Sequence, residues 1–277
     1  MIAHSKTTTS RVVASDGTHL FTTDWGEGRP VVFLASLGLP SDMWDYQRLP
    51  LSNRGLRCVA YDRRGHGRSD IPGSGYGFDN LADDLEAVLA TLDLKDVVLV
   101  GHSMASGEMV RYLTRHGADR IARLVFLAPA ATPSVLKSGD SPGGPTREQF
   151  EAYLNGVIVN DFPRWIDDNQ APFFTDDTPA ATRQWILQMM LRTSLKAMHA
   201  CNQTMMTANF AAELAAIRLP ALVIHGDKDA SAPVDRGRRT AALIPGARFM
   251  LYEGAPHGLF LTHRERVNAD LLAFVQG

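Results

Sequence analysis

Three distant stretches of this 277-residue chain carry the side chains of a nucleophilic relay. Ser103 stands in Leu99-Val100-Gly101-His102-Ser103-Met104-Ala105-Ser106-Gly107, between an apolar run and an amphipathic stretch with helical spacing. A serine on a tight strand-to-helix turn is held with its hydroxyl exposed, and small neighbours let the backbone turn that sharply. Gly101 and Ala105 are those neighbours. The same geometry aims the first N–H groups of the helix, Met104 foremost, at negative charge developing beside the hydroxyl. A hydroxyl alone is a poor nucleophile; it needs a base, and the base needs an orienting carboxylate. Two later strand-like runs end in candidates: 221–225 leads into Gly226-Asp227-Lys228-Asp229, and 248–252 into Glu253-Gly254-Ala255-Pro256-His257-Gly258. Loops beyond the carboxyl ends of parallel strands converge, so these residues can meet Ser103.

Position separates the rivals. Asp229 reaches further over the sheet edge than Asp227, whose place suits tying the turn together. His257 projects more freely than His225, which lies within a strand, or His263, which would open the last helix. His102 is expected to point into packing. His66 and the arginines of the turn 63–68 read as hydrogen-bonded or solvated structure.

The elements that must position these groups follow from periodicity. Asp16-Gly17 between two strand-like runs signals a hairpin. Short apolar runs at 31–35, 57–61, 97–100, 122–128 and 221–225 read as buried strands. Helical spacing at 78–92, 104–116, 234–244 and 264–275 supplies crossovers, which predicts an α/β fold with a mostly parallel sheet. The rhythm breaks after Pro129: residues 132–213 hold several helical stretches, many aromatic and Met residues, and no convincing strand. This predicts one core, 1–131 plus 214–277, with 132–213 inserted as a helical lid and Ser138 to Pro145 as a flexible hinge. Trp165, Met189 and Met190 are the lid residues expected to wall a pocket, against the plain alternative that they only fill helix cores.

Composition excludes several classes. Lys+Arg 28 against Asp+Glu 30 leaves a charge of -2, with no basic footprint for nucleic acid. Cys58 and Cys201 are too few for a disulfide framework or a cysteine metal site and read as buried, inert thiols. The opening MIAHSKTTTS lacks the apolar core of a secretory signal, and no apolar run could cross a membrane, so a cytoplasmic protein is expected. Nothing calls for a cofactor or metal.

Tyr61-Asp62-Arg63-Arg64-Gly65-His66-Gly67-Arg68-Ser69, Gly101-His102-Ser103-Met104, Val223-Ile224-His225-Gly226-Asp227-Lys228-Asp229 and Gly254-Ala255-Pro256-His257-Gly258 resemble the α/β-hydrolases. The likeness is greatest to the bacterial cofactor-free (non-haem) haloperoxidases and arylesterases, and it covers nearly the whole chain, more loosely in the lid. The order Ser, Asp, His is the one that fold requires. The resemblance implies a serine esterase or lactonase: Ser103 as nucleophile, His257 as base, Asp229 as the acid, and a small-molecule ester or lactone as substrate. Perhydrolysis, with hydrogen peroxide replacing water, is implied as a side reaction.

One segment departs from the pattern. Where such enzymes carry His-Gly and an aromatic, this chain has Ala35-Ser36-Leu37-Gly38. Aligning Trp44 with a downstream tryptophan of the family puts Leu37 at the second oxyanion donor, beside Met104, through its backbone N–H. A carbon–carbon bond hydrolase with the same triad stays open, as does a ligand receptor on a hydrolase scaffold and a homo-oligomer. Ser103 at the elbow argues against dehalogenases and epoxide hydrolases, which need a carboxylate there.

Overall fold

A computed structural model describes residues 7–139 and 142–277. Strand β1 (Thr7–Val13) turns at Asp16-Gly17 into β2 (His19–Trp25), giving the expected hairpin, with Gly17 at φ +86°. Then come β3 (Arg29–Leu34), α1 (Asp45–Ser52), β4 (Leu56–Tyr61), α2 (Phe78–Thr91), β5 (Val97–His102), α3 (Ala105–His116) and β6 (Ile121–Leu127). Among the described residues the α-helices α4 (Arg147–Tyr153), α5 (Phe162–Asn169), α6 (Ala180–Met190), α7 (Leu195–Thr207) and α8 (Ala211–Ala216) follow. The chain then re-enters the sheet as β7 (Ala221–Gly226), α9 (Val234–Leu243), β8 (Arg248–Tyr252), α10 (Leu259–Thr262) and α11 (Arg264–Gln276).

The eight strands lie in the order β1-β2-β4-β3-β5-β6-β7-β8, antiparallel through β2–β4 and parallel from β4 onward. Successive side chains on a strand point to opposite faces, and that alternation divides the core in two. Val32, Leu34, Leu99, Leu124, Phe126 and Val223 pack with α2 and α3. Val31, Phe33, Val98, Val100, Val125 and Ile224 pack with α1, α10 and α11. Strands covered on both faces have no solvent side, which is why they read as unbroken apolar runs.

Register decides what meets at the carboxyl edge. Leu34 pairs with Gly101, His102 with Leu127, Leu127 with Ile224, and Gly226 with Tyr252. The loops after β3, β5, β7 and β8 therefore leave the same rim side by side.

The described residues between β6 and β7 form no strand of the sheet and make one isolated bridge, Ser134 to Asn209. These helices have no core of their own. Ala197, Cys201, Met205 and Phe210 extend one face of the sheet core, while Ile158, Ile166, Met189 and Met198 extend the other. Part of the expected hinge, Asp140 and Ser141, lies outside the described residues, as do Met1 to Lys6. The rest of that stretch folds back on itself: Lys137 N–H donates to the Pro145 carbonyl at 2.9 Å, and a Cβ on Gly144 would meet the Val135 carbonyl at 2.5 Å. No described helix is long and apolar enough to cross a membrane.

Candidate active site

The serine sits on a strained corner. Ser103 has φ +57°, a left-handed conformation that costs a non-glycine residue roughly 1–3 kcal/mol. The corner closes because α3 comes down directly on β5: a Cβ on Gly101 would collide with Met109 Sδ and come within 3.2 Å of Ala105 Cβ. A side chain at 101 would therefore have to displace Met109, whereas alanine at 105 fits.

From that corner a continuous relay runs. Ser103 Oγ is 3.0 Å from His257 Nε2, and His257 Nδ1 is 2.6 Å from Asp229 Oδ2. All three residues are buried. Asp229 is the better engaged of the two candidate acids: Oδ1 accepts the N–H groups of Ser231 at 2.9 Å and Ala232 at 2.7 Å. Burial alone would push its carboxyl up. His257, His225 and the Ala232 N–H outweigh that and hold it far below the usual carboxylate range. Asp227 instead accepts the Gly254 N–H at 2.7 Å and ties the β7 and β8 loops together.

Two histidines that sequence reasoning set aside stand beside the relay. His225 Nε2 is 3.1 Å from Asp229 Oδ2 and 2.8 Å from the Ala232 carbonyl; both partners accept, so Nε2 carries the proton. A Cβ on Gly237 would collide with the His225 ring, so α9 presses directly on it. His102 does point into packing, against Trp44 and Phe260, but its Nε2–H also donates to the His257 carbonyl at 2.9 Å. Burial and the neighbouring His257 keep the His102 ring neutral, well below the ordinary histidine range. His102 and His257 lie 155 residues apart, with no spacing to signal their contact, whereas His225 and Asp229 are i,i+4.

Phe173 stands edge-on to the His257 ring at 5.2 Å, and the His257 N–H donates to the Pro172 carbonyl at 2.9 Å. The segment between α5 and α6 therefore holds the imidazole from above. His263 pairs with Thr262 away from the relay. His66 is buried, donates Nδ1–H to the Arg64 carbonyl at 3.0 Å, and is pushed down to about 3 by burial and the adjacent Arg63.

The departing loop is firmly pinned. Arg63 donates to the Ala35 carbonyl at 2.6 Å, to the Ser36 carbonyl at 3.1 Å and to Glu108 of α3 at 2.7 Å. Thr193 Oγ1 donates to the Gly38 carbonyl at 2.9 Å. One buried guanidinium thus couples the loop bearing Leu37 to the helix that Met104 precedes. The arginine-rich turn is structure rather than solvated surface: Arg64 meets Asp84 with two bonds, at 2.7 and 2.6 Å, and Arg68 meets Asp62 at 2.8 Å. The N–H groups of Leu37 and Met104 have no protein partner among the described residues.

A cavity of about 510 Å³ opens over Ser103 and His257, with Leu37, Trp165 and Met190 in its wall. Met189 is buried but lies outside that wall. Neighbours on a helix point about 100° apart, so α6 turns one methionine of the pair to the cavity and the other into its core. Trp165 Nε1–H donates to Tyr153 OH, a further wall residue the sequence did not suggest. Cys58 and Cys201 are free and buried, and burial pushes each thiol up to about 12. Among the described residues no group of three His, Cys, Asp or Glu side chains could hold a metal ion.

A nucleophile elbow on a mostly parallel sheet, with partners on the loops after β7 and β8, places the protein in a class. The chain belongs to the α/β-hydrolase fold family, whose match spans residues 29–264, and is an enzyme of that family. It is 40% identical to a non-haem haloperoxidase of Rhodococcus erythropolis over 96% of this chain and 98% of that one. It is also 34% identical to a bifunctional esterase/perhydrolase of Acinetobacter calcoaceticus, over 96% and 99% of the two chains. Among solved structures, an esterase from Exiguobacterium antarcticum superposes with a TM-score of 0.94 at 28% identity, covering 98% of this chain and all of that one.

Proposed function

We propose that the protein is a serine hydrolase that cleaves carboxylic esters or lactones through an acyl-enzyme on Ser103. The observation that carries this reading is the unbroken relay from Ser103 Oγ through His257 to Asp229, at 3.0 and 2.6 Å. Ser103 Oγ attacks the carbonyl carbon while His257 Nε2 takes its proton. Asp229 accepts from His257 Nδ1–H, which fixes the tautomer and stabilises the imidazolium. The Met104 and Leu37 N–H groups receive the oxyanion, each such donor contributing about 2.7–4 kcal/mol in a serine protease where it was removed. The imidazolium then protonates the leaving alkoxide. Water, deprotonated by His257, releases the acid and restores the serine. Hydrogen peroxide in place of that water would release a peracid from the same intermediate, which suits relatives named haloperoxidase and perhydrolase.

Residues 132–213 serve as the lid, with Trp165 and Met190 among the residues that receive the apolar part of the substrate and keep water out. A fluorophosphonate should label Ser103 in the intact protein, as read by peptide mass spectrometry. Turnover of p-nitrophenyl acetate should vanish with Ser103→Ala. Labelling elsewhere, or turnover undiminished in that variant, would sink the reading.

A further inference from the structure

The cavity over Ser103 holds one arginine, Arg236, and among its described wall residues no aspartate, glutamate or lysine. Arg236 stands half-buried in the first turn of α9. Its Nη1 donates to the carbonyls of Ala130, at 3.0 Å, and Ser134. The Ala130 N–H donates in turn to the Ser103 carbonyl at 3.2 Å, so the guanidinium is anchored two hydrogen bonds from the nucleophile's backbone.

What Arg236 lacks among the described residues is a counterion. Arg63, Arg64 and Arg68 each meet a carboxylate within 3 Å. Arg236 makes no ion pair with a described residue, and its Nε and Nη2 donate to no described protein atom. Asp229 acts on it only at a distance and is already engaged by His257, His225 and two backbone N–H groups. Burial pulls the guanidinium's pKa down. An arginine nevertheless stays charged at neutral pH, and a charge drawn from water without a partner is costly. The free Nε–Nη2 edge is the edge that a carboxylate engages with two parallel bonds.

We propose that the cavity takes esters or lactones that themselves carry a carboxylate, and that Arg236 receives this carboxylate while Ser103 attacks the ester carbonyl. The proposal rests on the serine-hydrolase reading and narrows its substrate class. The competing role for Arg236 is a clamp that merely joins Ala130 and Ser134; such a clamp would affect all substrates alike.

Two substrates of equal chain length separate these roles: mono(4-nitrophenyl) glutarate and its uncharged counterpart, 4-nitrophenyl valerate. The ratio of their kcat/KM values should fall by about ten-fold or more in Arg236→Gln, chiefly through KM for the charged ester. Arg236→Lys should recover part of the ratio, and added salt should lower it in the wild type. Equal losses on both esters in Arg236→Gln would overturn the proposal and leave the clamp. Binding supplies an arm independent of turnover. Calorimetry of the Ser103→Ala protein with monomethyl glutarate should show binding that weakens by about ten-fold when Arg236→Gln is added. No binding, or binding unchanged by that substitution, would overturn the proposal even with hydrolysis intact. Failure of Ser103 to take a fluorophosphonate would instead remove the hydrolase reading while leaving the binding result to stand by itself.

Discussion

Two clusters of buried charge lie at the carboxyl edge of the sheet, one after β4 and one after β7 and β8, and they end differently. In the turn after β4, Arg63 meets Glu108, Arg64 meets Asp84 and Asp62 meets Arg68, so every charge is closed by an opposite one. In the loops after β7 and β8, Asp229 is equally well satisfied, but the chain of bonds leaving it runs through His257 to a hydroxyl in the wall of a cavity. The first arrangement returns to itself and can only hold shape. The second has one end free to exchange a proton. Burial of charge therefore does not by itself distinguish the two clusters; the open end does.

The open chain of bonds is most vulnerable at Asp229. Asp229→Asn should lower kcat by about four orders of magnitude in a protein that still folds, because the imidazole is left in the wrong tautomer. A rate within ten-fold of wild type would mean that the relay does not end there. The closed cluster should respond in stability first. Glu108→Ala strands the buried Arg63 guanidinium and should cost about 3–5 kcal/mol in urea denaturation. The freed loop beneath Leu37 should also lower kcat more than it raises KM. A loss under about 1 kcal/mol would show that Arg63 does not depend on α3.

The pH dependence of folding sharpens the contrast further. His66 titrates at about 3 in the folded chain and near 6.5 in the unfolded one. Between those values the unfolded state binds the extra proton, so stability falls as pH falls from about 6.5 towards 3, by a few kcal/mol in all. His66→Asn keeps a donor for the Arg64 carbonyl and removes the titration. Its denaturation midpoint should change less than that of the wild type between neutral and mildly acidic buffer; parallel curves would contradict a buried neutral His66. Smallest of all, Met190→Ala should shift preference between short and long acyl esters by several-fold, measured as kcat/KM over a chain-length series. Met189→Ala should lower stability with that preference kept, and the reverse pattern would exchange their places on α6.

Much of this was legible in the residues. The runs around Val32, Leu99, Leu124 and Val223 announce strands buried on both faces, and the alternation with helical spacing fixes parallel pairing. Ser103 and Asp229 stand out because each follows such a strand, and His257 because it follows the more exposed β8 at the same edge of the sheet. Legibility fades away from these turns. Met189 and Met190 differ only in rotation about α6, which is set by what the helix packs on. The segment from Ser138 to Pro145 reads as a hinge by its glycines and prolines, yet its described part closes on Val135 and Lys137. The arginine turn offered solvated and bonded readings alike, since Asp84 and Glu108 lie 20 and 45 residues from their partners.

From the order of amino acids alone came the fold class, the elbow and its two partners, because a strand end, a tight turn and a small residue are requirements met within a few neighbours. Only tertiary structure decided that His225 and His102 brace the relay, that Arg63 spans from the Leu37 loop to α3, and that Arg236 faces the cavity without a counterion among the described residues. Each of those contacts crosses between elements, and its existence depends on strand register and helix rotation. Those quantities are set by the packing of the whole core rather than by any local stretch of chain.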